Sequence, residues 1–165
     1  MSYSIVFEML PKSLDELKAL PQASLKNAQD TAALCVAALC VYRDDKAECI
    51  KMLNYLRGPR PLSPMDEQFL RDRFMDGRGY IPYSYFEGAV PGNGYEPSKP
   101  YTLVMDDSHA QIAEDGYKIL NLKSGGADSQ RSITLRNKPS TGEWFLWEQM
   151  LLAQIRVPAA QDPWA

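Results

Sequence analysis

The fold turns on TAALCVAALCVY, Thr31 to Tyr42. Its apolar residues run round every side of a 3.6-residue helical period instead of along one stripe. A helix on the surface of a globular protein keeps one polar face, so this one is expected to be buried all round. Ser24 is placed to cap it, and the expected helix runs from about Leu25 to Arg43. The apolar run is about half the ~20 residues that a membrane span requires, so its environment is expected to be a protein core.

Working outward, each flank carries start and stop signals. Tyr3–Leu10 is strand-like, with Ile5, Val6 and Phe7 as a short apolar run closed by Pro11. Ser13 followed by Glu16 predicts a capped helix carrying Leu14, Leu17 and Leu20 and stopped by Pro21. Asp45 and Glu48 form a similar pair ahead of a stripe of Ala47, Ile50, Leu53 and Leu56, ended by Gly58-Pro59. Ser63-Pro64-Met65-Asp66 puts a cap, a first-turn proline and a carboxylate where each is favoured. That helix is expected to turn Phe69, Leu70 and Phe74 inward and to stop at Gly77.

Between Gly77 and Tyr101 lie five glycines, four prolines and five tyrosines, which predicts short edge strands and turns rather than a helix. So much aromatic surface marks an ordered connection, not a flexible linker. Strand patterns follow at Tyr101–Asp106, Gly116–Lys123, Arg131–Lys138 and Glu143–Glu148. In the third, Ile133 and Leu135 alternate with Ser132, Thr134 and Arg136, the pattern of an antiparallel sheet with one wet face. Glu143–Glu148 is bulky and apolar on both sides and is expected to be a central strand, with an aromatic ligand platform as the alternative. The expected class is therefore α+β: an N-terminal helical layer of about four helices packed on a small, mostly antiparallel C-terminal β-sheet. Residues 1–165 are expected to form a single domain, with a mainly helical part (1–76), a Tyr/Pro/Gly-rich ordered connection (77–100) and a β-rich part (101–165).

Composition narrows the function classes. The chain of 165 residues carries a net charge of −3, and neither half is basic, so nucleic acid is not an expected partner. Cys35, Cys40 and Cys49 form no C-x-x-C pair and lie in apolar helical surroundings, which predicts reduced core thiols in a reducing compartment. The first ten residues lack a basic region and a small-residue cleavage site, so no signal peptide is expected. A cytoplasmic protein without membrane attachment is the expectation.

The candidate chemistry is sparse. Ser124–Arg131 reads as a tight hairpin turn with glycine at positive φ, or as a backbone nest for an anion with Arg131 as its charge. Its glycines match neither a phosphate-binding loop nor a dinucleotide fingerprint. His109, behind Asp106-Asp107-Ser108, is the single histidine and has no matched ligand partner, so no metal is expected. The aromatic loop supplies Tyr80, Tyr83, Tyr85 and Phe86, rigid amphipathic area of the kind interfaces favour, or else a wrap that completes the core. The tail Asp162-Pro163-Trp164 is expected to dock back onto the domain or to serve as a partner hook.

The run Ser124-Gly125-Gly126-Ala127-Asp128-Ser129, with Arg131, Thr134-Leu135-Arg136, Gly142, Trp144 and Leu146-Trp147-Glu148, resembles an uncharacterised bacterial family known only as a domain of unknown function. Ile155-Arg156-Val157-Pro158 and Asp162-Pro163-Trp164 fit the same pattern, so the resemblance covers roughly the last 65 residues well and the helical part loosely. It implies a self-contained folded unit and brings no activity. The reading is a non-catalytic binding or interaction module without cofactor, monomeric or homodimeric, whose partner is a protein or a small-molecule ligand. The alternative is a small-molecule enzyme with its site between the helical layer and the sheet. The candidate binding residues are Tyr80, Tyr83, Tyr85, Phe86, Asp128, Arg131 and Arg136.

Overall fold

The computed structural model describes residues 1–107 and 115–165, so the reading of His109 lies outside the described residues. Five strands, β1 (Ser2–Phe7), β2 (Tyr101–Asp106), β3 (Tyr117–Leu122), β4 (Arg131–Lys138) and β5 (Glu143–Gln149), form one antiparallel sheet in the order β1-β2-β3-β4-β5. Helices α1 (Leu14–Lys18), α2 (Ala28–Val41), α3 (Lys46–Arg57) and α4 (Pro64–Phe74) fall between β1 and β2 in the chain.

This overturns the expected division into a helical N-terminal layer and a small C-terminal sheet. The first strand belongs to the sheet: Ser2 to Phe7 pair in unbroken register with Asp106 to Tyr101. A short apolar run shows that a strand forms but not which strand it joins, because pairing partners nearly 100 residues away leave no local trace. What holds is the coarser α+β description, with most helices in the first half and four of the five strands in the second.

Helix α2 is the hub. Ala32 through Leu39 are at most 1% exposed, and the helix packs against α3, the aromatic connection and strands β1, β3, β4 and β5. It starts later than expected. Pro21–Ser24 forms a 3-10 turn, Leu25 takes φ 59°, and Asn27 supplies the cap, accepting from the Asp30 N–H at 2.9 Å. The other caps sit where the sequence places them: Ser13 accepts from Glu16 N–H, Asp45 from Glu48 N–H, and Ser63 with Asp66 closes a reciprocal box. Glu48 does not return the favour to Asp45; it accepts the Leu14 N–H at 3.0 Å and so ties α3 to the start of α1. On α4, Leu70 and Phe74 are buried, but Phe69 is 44% exposed.

The aromatic connection is itself built into the core. Arg78–Tyr85 is a 3-10 helix despite Pro82, a departure from the expected turns and edge strands. Phe86 then bridges to Leu103, and Glu87 N–H donates to Thr102 C=O at 2.9 Å. The segment thus takes the place along β2 that β3 leaves vacant, since β3 pairs with β2 only at Met105 and Asp106.

Strand β5 is the sheet edge, not a central strand. Its register slips between Thr134 and Leu135, which pair with Glu148 and Leu146 and leave Trp147 as the extra residue of a bulge. The outer edge is closed by other means. Trp144 N–H donates to Leu25 C=O at 2.7 Å, Thr31 Oγ1 donates to Trp144 C=O at 2.7 Å, and Arg60 Nη2 donates to Trp147 C=O.

Candidate functional site

The residues singled out from sequence do not converge on one place. Tyr80 is buried and stacked on Tyr95, with ring centroids 5.3 Å apart. Tyr85 is 2% exposed, donates to the Leu151 carbonyl, and has its hydroxyl pushed to higher pKa by burial. Phe86 is equally buried, against Tyr101. Tyr83 is half-buried beneath the Arg43 guanidinium, 4.1 Å from its ring centre, and burial raises its hydroxyl to about 12. Most of this aromatic surface is therefore turned into the protein.

Residues 123–130 connect the antiparallel strands β3 and β4, and Gly125 and Gly126 lie in a turn there, as expected, but neither has positive φ, so that part of the expectation is corrected. Their small size answers to close approach: a Cβ on Gly125 would lie 2.0 Å from the Ala89 carbonyl oxygen, and one on Gly126 2.2 Å from the Tyr95 hydroxyl. Their N–H groups are taken by Ser84 C=O and Ser124 Oγ, so the nest geometry is spent on internal bonds. Arg131 donates to the Ala153, Gln154 and Ser129 carbonyls, tying the last stretch of chain to β4. Asp128 is solvent-exposed and ion-paired with Arg156 at 3.1 Å. Trp164 is 92% exposed and does not dock.

The cysteines are free and buried, and burial pushes the Cys35 thiol up to about 12 and Cys40 and Cys49 upward as well.

A site assembles elsewhere, around Arg57, Arg60 and Arg73, to which the sequence reading gave no role. Between the end of α3, helix α4 and strand β5 lies a groove of about 570 Å³. Leu39, Leu53, Leu62, Leu70, Leu146 and Leu152 give it an apolar floor, and Arg57, Arg60, Arg73, Phe69 and Trp147 add charge and aromatic surface. The volume is that of a small-molecule pocket.

Local chemistry explains the geometry. Gly58 at φ 59° turns the chain sharply out of α3, and its missing Cβ admits the Phe145 ring, which a methyl group would meet at 2.5 Å. Asn54 Oδ1 accepts the Leu62 N–H at 2.8 Å and fixes the turn from α3 to α4. Arg57 is the interior cation, its side chain 10% exposed. Its Nε donates to Arg60 C=O at 2.9 Å and its Nη2 to Asp66 Oδ2 at 3.4 Å. Burial lowers its pKa, as does Arg60 nearby. Asp66 is held below the usual carboxylate range chiefly by the Ser63 N–H of the α4 cap, with Arg57 and Arg60 adding to it.

Asp66 is thus engaged by the helix cap and Arg57. Arg60 and Arg73 have no ion-pair partner among the described residues. Arg60 lies 3.9 Å over the Trp147 ring, and Arg73 5.0 Å over Phe69. Of the candidate binding residues Arg136 comes near the groove: it stands 4.7 Å over Trp147, which also meets Tyr117 edge-on at 5.4 Å and belongs to the strand whose alternative reading is an aromatic ligand platform. Glu148 is a second carboxylate lining the groove. Three guanidiniums against two carboxylates, one of them already bound, make this a cationic place on a chain of net charge −3.

The rigid run Gly58-Pro59-Arg60-Pro61-Leu62-Ser63-Pro64 was the available sequence signal, since three prolines hold an exposed arginine at a fixed turn. Among the described residues no helix is long and apolar enough to cross a membrane, and no group of three or more His, Cys, Asp or Glu is placed to hold a metal ion. A family model described as a domain of unknown function (DUF6935) matches residues 9–159, well beyond the C-terminal stretch that carried the resemblance. No curated protein and no solved structure matches the chain.

Proposed function

The chain belongs to the DUF6935 family, and we propose that it is a non-catalytic binding module whose site is the groove between α3, α4 and β5. The ligand is a small organic anion with a flat apolar part. One observation carries this: Arg60 in the connection between α3 and α4, and Arg73 on α4, lie over aromatic rings above a leucine floor without ion-pair partners among the described residues. A guanidinium so placed offers in-plane donors to a carboxylate, while the leucine floor accepts the apolar part. Arg57 and Asp66 neutralise one another and act as framework. Glu148 repels a second negative charge and so favours a monoanion.

The test compares naphthalene-2-carboxylate with its uncharged carboxamide by calorimetry and by perturbation of the groove's NMR signals. The carboxylate is expected to bind saturably and at least about tenfold more tightly than the amide, a difference set by one charge-assisted contact. Arg73→Gln is expected to remove that preference and leave the fold intact. Equal binding of acid and amide, or no perturbation at Trp147, overturns the reading.

A further inference from the structure

The two edges of the sheet are treated differently. On β5, the Leu25 carbonyl, the Thr31 hydroxyl and the Arg60 guanidinium occupy outward backbone groups. On β1, at the opposite edge, none of the backbone groups of Ser2–Phe7 bonds to anything but β2 among the described residues. An antiparallel edge strand directs the N–H and C=O of every second residue outward, ready to pair.

Strand β1 also lacks the usual protections. Its sequence Ser-Tyr-Ser-Ile-Val-Phe holds no charge and no proline, and its register with β2 has no bulge. Tyr3 and Ile5 pack on the core yet stay partly exposed, and Val6 is 45% exposed. The positive charge at the head of the strand is answered within the chain, where the Met1 amine meets Asp107 at 2.8 Å.

We propose that β1 is a dimerisation edge, at which two copies of this chain pair their β1 strands antiparallel about a two-fold axis to make one continuous ten-stranded sheet. A second copy is the fitting occupant for three reasons. Antiparallel pairing of a strand with itself satisfies both edges by symmetry. An uncharged strand faces its own copy without like-charge repulsion. The closed β5 edge leaves each copy one open edge, so pairing ends at two copies and does not propagate into a fibre. This inference is independent of the groove.

The experiment is sedimentation equilibrium of the full chain across the micromolar range, beside hydrogen exchange at a low and a high concentration. Twice the chain mass is expected, with protection of the β1 amides rising with concentration. The pair Ser4→Lys and Val6→Lys, both at exposed positions, is expected to give a monomer with unchanged circular dichroism. A wild-type chain that stays monomeric overturns the proposal, as it would if this edge accepted only a strand from another protein. A dimer whose β1 exchange is independent of concentration overturns it as well, and that comparison needs no variant.

Discussion

Arg60 reaches Trp147 twice: its guanidinium lies 3.9 Å from the indole ring centre, and its Nη2 donates to the Trp147 carbonyl. One side chain thus closes a strand edge and covers the aromatic ring of the bulge. Trp147 is half-buried, so Trp147→Ala is expected to cost about 1–2 kcal/mol, less than the 3–5 typical of a fully buried aromatic. Denaturant titration measures it. Arg60→Lys should lose part of the same stability, since an ammonium cannot stack flat while donating to the carbonyl.

Gly58→Ala is expected to destabilise by about 2–4 kcal/mol, from strain at positive φ and collision with the Phe145 ring. Combining it with Phe145→Ala separates the causes. The collision disappears in the double variant and the backbone strain stays, so the cycle should show a coupling on the order of 1 kcal/mol or more.

Tyr85→Phe strands the buried Leu151 carbonyl and should cost about 1–3 kcal/mol. Tyr83→Phe should cost less, because its 3.3 Å bond to the Cys40 carbonyl is longer and half-exposed. Replacing both tyrosines by serine should cost at least about 3–5 kcal/mol, the figure for one fully buried aromatic, and lower the melting temperature strongly. A thermal scan of the three variants checks the order.

The thiols should be protected. Native protein is expected to react with a thiol reagent far more slowly than protein in denaturant, because Cys35 and Cys49 are 0% exposed and Cys40 2%. Following absorbance of the released reagent anion in both conditions tests this.

Acid should weaken the fold by a nameable route. Asp66 is lowered by the Ser63 N–H, Glu48 by the Leu14 N–H, and Asp107 by the Met1 amine. A carboxylate with a depressed folded pKa stabilises fully above its unfolded value, 3.8 for Asp and 4.5 for Glu, and loses that contribution as pH falls through the folded value. Stability should therefore fall below about pH 4.5. Asp66→Asn should flatten that limb, as read by denaturant midpoints between neutral pH and pH 3.

Elements whose signals are local were legible in the amino-acid sequence. Caps at Ser13, Asp45 and Ser63 act over three residues, and the alternation of β4 and the all-round apolar face of α2 are periodicities of a single element. What those elements meet follows from long-range packing. The placing of β1 beside β2 and of β5 at an edge depends on contacts between distant stretches of chain. Apolar bulk on both faces of Glu143–Glu148 reads the same whether strands or helices and arginines cover it. Gly125 and Gly126 are turn residues as their sequence suggests, but the reason they must be glycine is the close approach of Ala89 and Tyr95, which no local signal records. The groove escaped sequence reading for the same reason. Arg60 and Trp147 stand 87 residues apart, and nothing in either neighbourhood records that folding lays one across the other.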